Sequence, residues 1–320
     1  MIDILLATYN SSEYLPAQID SILRQDNQAW RLLIRDGGSA DNTRQTIADY
    51  CKKYPDRINQ LPFEGRAAAC ENFSALLDAA TAPYIMFADH DDVWLPDKIT
   101  RTLSEMTIAE NAYGAATPLL IFTDKLVTDN EMHVLSKSYF KYQNLNPRKT
   151  SLNHLLVQNI PSGCTMLINR ALANLARPVP SAAVMHDHWL ALTAAAFGQI
   201  IYLDAPTIMY RQHPHNVFGA SKYGMKYLLG KVIEGRQRVK ARFHQNIVQA
   251  AAFLDRFDGK LDGKTAGLLG DFCRLEHCHR LERYRILIKN RIYKNGICRN
   301  IGMFLIISSG ILTCDRRKKV

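Results

Sequence analysis

Along the first two hundred residues, short apolar runs alternate with longer stretches whose apolar positions recur at helical spacing. Residues 2–7 form the first run, which ends in Thr8, Tyr9 and Asn10; Ser11 and Ser12 then stand where they would cap a helix reaching about residue 25. The second run, residues 30–34, breaks at RDGGSADNT, whose glycines permit a tight turn and whose Asp41 is placed to cap a helix over 42–54. A helix over 67–80 follows, then a short buried strand over 84–88, a helix opened by Pro96 that reaches about residue 110, and a strand at PLLIFTD. Residues 125–150 are irregular and polar, which predicts a loop over the sheet rim. GCTMLINR reads as a strand, 170–176 as a short helix, HDHWLALTAAAFG as a longer one, and QIIYL and TIMYR as two short strands. From Ser221 onward the alternation stops and basic helical stretches run to the end, dividing the chain into 1–220 and 221–320.

Strands and helices alternating in this way predict an α/β fold with a mostly parallel sheet flanked by helices. Such sheets bind ligands just beyond the carboxyl ends of their strands. Asn10, Asp36 and the cluster 89–92 all follow predicted strands, so they should converge on one rim.

Charge divides the chain at the same place. The net charge is +10, but residues 221–320 carry 22 Lys+Arg against 8 Asp+Glu, and residues 1–220 carry 18 against 22. A basic last third implies an anionic surface as partner. The seven cysteines show no CxxC spacing, and the N-terminus reads as a strand and not as a signal peptide, which together point to reduced thiols in the cytoplasm. The most apolar stretch, 301–312, falls short of the ~18–20 residues that a membrane span needs.

Candidate chemistry centres on FADHDDVWLPDK, with three aspartates in four positions. On an extended segment Asp89 and Asp91 share a face, and Asp92 starts on the other. Carboxylates so placed suit Mg2+ or Mn2+ shared with substrate phosphates; an acidic turn capping the Pro96 helix is the plain alternative. Asp36 is placed to accept from a pyrimidine imide or a ribose hydroxyl. In MHDHWLAL, Asp187 lies at a helix start, either as an ordinary N-terminal acid or as a general base. YRQHPHN offers Arg211, His213 and His215 as cationic or metal-binding contacts to phosphate. Arg66 precedes a helix and is within reach of a diphosphate or of solvent. Cys273, His277, Cys278 and His279 match no standard zinc spacing and read as packing residues.

Taken in order, LLATYNSSEYLPAQIDSIL, IRDGGSADNT, FADHDDVWLPDKI, GCTMLINR and HDHWLAL resemble the family 2 glycosyltransferases of the GT-A fold, over about residues 2–216. DHDDVWLPDKI with YRQHPHNVFG looks most like the bacterial rhamnosyltransferase-type members, which build lipopolysaccharide O-chains, capsules and related glycans. The resemblance implies that Thr8, Tyr9 and Asn10 lie along the nucleotide and that Asp36 contacts the base. It implies that Asp89 and Asp91 form the DxD pair, with Asp91 or Asp92 on a Mn2+ or Mg2+ ion and His213 or His215 joining the diphosphate or metal site. Asp187 matches the catalytic base, with His186 where an acid usually precedes it, and His90 stands inside the DxD where Gln or Ala is more usual. The implied reaction is a single inverting displacement in which Asp187 deprotonates the acceptor hydroxyl, while the metal and Arg211 offset charge on the leaving diphosphate.

The expected partners are a nucleotide-sugar, dTDP-rhamnose favoured, and a glycan or polyprenyl-diphosphate-linked acceptor. A UDP-hexose transferase, a nucleotidyltransferase and a non-catalytic nucleotide-sugar binder are the alternatives. A nucleotidyltransferase should show a glycine-rich basic loop near the N-terminus, and LLATYNSSEYL has none. The basic tail fits either packing helices or a platform at the inner face of the cytoplasmic membrane. No motif supports a nucleic-acid partner.

Overall fold

The first strand, β1 (Ile2–Thr8), is buried along its whole length in the computed structural model, which describes residues 1–63, 65–213 and 235–308. Its side chains alternate between two cores: Ile4 and Leu6 on one face of the sheet, Leu5 and Ala7 on the other. Burial on both faces is why the strand reads as a continuous apolar run. The single charge inside it, Asp3, accepts from the Arg31 guanidinium at 3.0 and 3.1 Å and from the backbone N–H groups of Thr81 and Ala82 at 2.6 and 2.8 Å. A buried carboxylate satisfied in this way ties the entry of a later strand to the first.

The chain continues as α1 (Leu15–Leu23), β2 (Trp30–Asp36), α2 (Thr43–Lys53), β3 (Ile58–Gln60), α3 (Ala69–Ala79) and β4 (Tyr84–Ala88). Then come β5 (Val93–Trp94), α4 (Lys98–Tyr113), β6 (Leu119–Thr128), β7 (Val134–Ser136) and the short α5 (Tyr139–Tyr142) and α6 (Leu152–Leu155). β8 (Met166–Asn169), α7 (Arg170–Ala176), α8 (His186–Phe197) and β9 (Gln199–Arg211) complete the sheet region. A nine-stranded sheet runs β3-β2-β1-β4-β8-β6-β9-β5, with β7 paired to β6. Its first half is parallel; β8 enters antiparallel between β4 and β6, and β9 returns parallel to β6.

Three local expectations change. Ser11 and Ser12 do not cap α1: their N–H groups donate to Thr43 Oγ1 at 2.8 Å and Asp41 Oδ2 at 3.1 Å, tying the strand-end loop to the start of α2. Residues 125–128 are strand and not loop, because β6 pairs on with β9 as far as Thr128 and Arg211. QIIYL and TIMYR are one strand, β9, interrupted by register shifts on either side of Asp124: Thr123 pairs with Leu203, and Asp124 with Pro206.

Beyond the sheet lie α9 (Gly235–Arg256), α10 (Gly263–Cys273), α11 (Arg280–Lys289) and α12 (Ile297–Ser308). Their apolar residues join the core of α3, α7 and α8. Trp189 meets Phe253 at 5.2 Å and Phe257 at 6.2 Å between ring centroids, and Leu287, Met303 and Ile307 are buried in the same cluster. These helices therefore pack on the sheet region and do not form a free tail.

Candidate active site

A cleft of about 1820 Å3 opens at the carboxyl ends of β1, β2 and β4. At its floor the acidic loop after β4 divides. Asp89, His90 and Asp91 line the cleft from a turn, and Asp92 is fully buried beneath it. Asp91 Oδ2 lies 2.9 Å from His213 Nε2, and the His213 ring stacks on Tyr14 at 4.8 Å. Asp92 Oδ1 accepts from the Arg211 N–H at 3.4 Å. Ligand atoms of Asp89, Asp92 and Cys164 lie within 4.8 Å of one another.

Burial first, and then the neighbouring carboxylates, push Asp89 and Asp92 above the usual carboxylate range. Two buried lysines supply counter-charge. Lys98 Nζ donates to Cys164 O at 3.1 Å and Thr207 Oγ1 at 3.3 Å, and burial pulls its amine down to about 8. Lys125 Nζ donates to Ser162 Oγ at 3.2 Å and sits 3.9 Å over the Tyr210 ring and 4.2 Å over Tyr139. Burial alone would lower Lys125, but Cys164, Tyr139 and the two aspartates together hold it above its ordinary value.

The rim beside β1 and β2 is built by tight turns whose backbone and short side chains bond one another. Gly37 N–H donates to Thr8 O at 2.8 Å, and a Cβ on Gly37 would meet Asn72 Nδ2 at 2.6 Å and Ala67 O at 3.0 Å. Only glycine fits there. Asn10, at φ 46°, accepts from the Ala40 N–H at 2.9 Å and gives its own N–H to Ser39 Oγ at 2.9 Å. Arg66 reaches the Tyr9 hydroxyl across this part of the cleft.

On the opposite wall Asp187 stands in the first turn of α8, where Oδ2 accepts from the Gly163 N–H at 3.1 Å. Burial pushes its carboxyl up to about 6, against the lowering effect of the Gly163 and His188 N–H groups. His186 packs between Phe73 at 4.0 Å and Phe87 at 5.0 Å, and burial holds its imidazole neutral, down at about 3. His188 makes the link to α9. Its Nε2 donates to Leu155 O at 2.6 Å, so Nδ1 accepts from Gln249 Nε2 at 3.2 Å, and Gln249 Oε1 accepts from the Val184 N–H at 2.8 Å. Gln249 thus holds the chain on both sides of Asp187.

Residues 3–174, more than half of the chain, match the family model described as glycosyl transferase family 2. The chain belongs to glycosyl transferase family 2. It is similar to the dTDP-rhamnosyl transferase RfbG of Shigella flexneri, 28% identical over 224 residues that cover 68% of this chain and 74% of that one. It is also similar to the UDP-Glc:alpha-D-GlcNAc-diphosphoundecaprenol beta-1,3-glucosyltransferase WfgD of Escherichia coli, 27% identical over 175 residues, 54% of this chain and 62% of that one. Two solved structures share the fold. S. aureus TarS 1–349 in complex with UDP-GlcNAc gives a TM-score of 0.52 at 14% identity, over 90% of this chain and 72% of that one. The mannosyltransferase PcManGT of Pyrobaculum calidifontis, in complex with GDP-Man and Mn2+, gives 0.51 at 13%, over 98% and 87%. The fold is GT-A, as the order of motifs implies.

In this glycosyltransferase the expected site residues separate into two groups. Thr8, Tyr9, Asn10, Arg66, Asp89, Asp91, Asp187 and His213 line one cleft. Asp36 does not: it is buried and accepts from Thr8 Oγ1 at 3.0 Å, the Gly38 and Ser39 N–H groups at 3.1 and 2.9 Å, Ser39 Oγ, and Arg44 Nε at 3.0 Å. Those donors hold its carboxyl below the usual range despite burial, and they leave it organising the turn in place of meeting a base; Gly37 and Asp41 line the cleft there. Asp92 is fully buried beneath the cleft, with ligand atoms close to those of Asp89 and Cys164. Arg211 is corrected from diphosphate contact to clamp: its Nε donates to Asp91 O at 3.0 Å, Nη1 to Asn130 O, and its guanidinium lies 4.9 Å from the Tyr14 ring. His215 lies outside the described residues.

Sequence reasoning missed Lys98, Lys125, Gly163 and Gln249. Lys125 carried one usable signal, a lysine directly after the run PLLIFTD. Gln249 carried none.

Proposed function

We propose that this enzyme is an inverting, metal-dependent rhamnosyltransferase that moves rhamnose from dTDP-rhamnose to a glycan on polyprenyl diphosphate. Its place is the inner face of the cytoplasmic membrane, in bacterial lipopolysaccharide O-chain or related surface-glycan synthesis. The observation that carries the mechanism is Asp187, a carboxyl raised to about 6 by burial on the same cleft as the Asp91–His213 pair. A base tuned to that range is ionised at neutral pH and basic enough to take a hydroxyl proton.

The acceptor oxygen bonds to the anomeric carbon as the bond to the diphosphate oxygen breaks. The electron pair leaves with the nucleoside diphosphate, and the hydroxyl proton passes to Asp187 Oδ1 or Oδ2. Attack from the face opposite the leaving group inverts the anomeric centre. Tyr9, Asn10 and Arg66 hold the donor, with Thr8 in the wall behind them.

The carboxylates of Asp89 and Asp92, whose ligand atoms lie within 4.8 Å of one another and of Cys164, together with the cleft-lining Asp91–His213 pair, are the groups that would hold Mn2+ or Mg2+, and His215 is a further ligand in this reading. When bound, such an ion offsets charge on the departing diphosphate. Similarity to a dTDP-rhamnosyl transferase over 68% of the chain supports the donor. Similarity to a UDP-Glc transferase supports the second reading, a UDP-hexose donor.

Mass spectrometry of products from a panel of UDP-, dTDP- and GDP-sugars, offered with a lipid-linked acceptor, decides between them. Product from dTDP-rhamnose alone is expected. Turnover of UDP-hexoses only would retire the rhamnose assignment and leave the transferase.

A further inference from the structure

Exposed large apolar side chains gather on the last two helices. α11 exposes Leu281 (68%) and Ile288 (58%), and α12 exposes Ile297 (80%), Ile301 (54%) and Leu305 (65%). Spacings of seven and of four residues keep each set on one helix face. The faces adjoin, because Tyr284 of α11 packs on Phe304 of α12 with ring centroids 5.6 Å apart. A shallow groove of about 480 Å3 between them is lined by Tyr284, Tyr293, Ile297, Ile301, Phe304 and Leu305. Leu305 also lines the active-site cleft, so the apolar face borders the cleft.

Cations surround this face. Arg280, Arg285 and Arg291 are exposed, as is Lys289, which pairs with Asp271 at 3.2 Å. Arg280 itself lines the groove. Two copies meeting through this face would set like charges against one another, which opposes self-association. An apolar centre within a cationic rim matches an anionic bilayer, whose acyl boundary takes the first and whose headgroups take the second. Among the described residues no helix is long and apolar enough to cross a membrane. The face is suited to lying on the bilayer.

We propose that the α11–α12 face seats on an anionic membrane, with Leu281, Ile288, Ile297 and Ile301 at the acyl boundary, so that a lipid-anchored acceptor enters the cleft past Leu305. The second clause rests on the acceptor reading above; the surface itself does not.

The test is cosedimentation of the full chain with phosphatidylglycerol–phosphatidylcholine vesicles, against phosphatidylcholine alone. The chain should pellet with the anionic vesicles only. An Ile297→Glu/Ile301→Glu variant should bind at least about tenfold more weakly, at unchanged melting temperature and unchanged turnover of a water-soluble acceptor. Arg280→Gln/Arg285→Gln should bind about 25-fold more weakly, since each cation near an anionic surface contributes about fivefold. Absence of pelleting, or equal binding by variant and wild type, overturns the proposal. So does a wild-type dimer in ultracentrifugation that Ile297→Glu/Ile301→Glu splits, which would give the face to a second copy. Turnover is read separately, so loss of the membrane surface and loss of the transferase reading give different results.

Discussion

The two walls of the cleft are built by different physics. On the sheet side, strand ends and glycine turns deliver Tyr9, Asn10, Asp89 and Asp91, held by contacts within and between neighbouring loops such as Gly37 N–H to Thr8 O and Ala40 N–H to Asn10. On the helical side, Asp187 is placed by side chains, with Gln249 of α9 bonded to Val184 and His188 on either side of it. A wall of tight turns is sensitive to any added Cβ. A side-chain-built wall is sensitive to single hydrogen bonds between segments far apart in sequence.

The sharpest way to break this picture is at the chemistry itself. Asp187→Asn should lower kcat by about two to three orders of magnitude, the scale of general-base help, with donor affinity by calorimetry unchanged. Full transfer activity in that variant would sink the assignment. Asp91→Ala should weaken donor binding about tenfold or more in the presence of Mn2+ and much less in its absence, and titration calorimetry under both conditions checks the difference. Equal losses would mean that Asp91 acts without metal.

Smaller effects distinguish the walls. Gly37→Ala should cost about 1–3 kcal/mol of stability through overpacking against Asn72 and Ala67 and should reduce donor affinity, read from melting curves and calorimetry. Gln249→Met keeps the volume and removes both hydrogen bonds. It should cost about 1–3 kcal/mol for the buried groups left unpaired and lower kcat several-fold, with donor affinity intact. If Gln249→Met weakens donor binding as much as it weakens kcat, the two walls are not independent. The mildest probe is pH. Asp187 must be ionised to act and its carboxyl is raised to about 6, so kcat should fall about tenfold per unit below pH 6 and level off above it. A limb near pH 4 would instead indicate a solvated base.

Much of the sheet wall was legible because strand alternation and strand-end chemistry are local. Asp89 and Asp91 both reach the cleft, but from a turn that brings His90 there too, with Asp92 below, so the period-two spacing was not the reason. Asp36 and Arg211 misled for a shared reason. Each lies at the expected strand end, but its polar atoms are taken up by neighbours, the turn 38–39 with Thr8 and Arg44 for one, and Asp91 O and Asn130 O for the other. A sequence shows that a carboxylate reaches a rim and not how many donors already point at it.

The sequence by itself determined the family, the α/β alternation and the order in which Asn10, Asp91 and Asp187 appear, because each depends on residues near one another in the chain. Only the tertiary structure decided which acids of the knot line the cleft, which buried lysines offset them, and that the basic C-terminal helices contribute a wall of the cleft. Those outcomes depend on desolvation and on partners about 30 to 150 positions away, such as Lys125 against the acidic loop or Gln143 against Arg299. Burial sets the cost of a charge and the count of its partners, and neither is written in any local stretch of sequence.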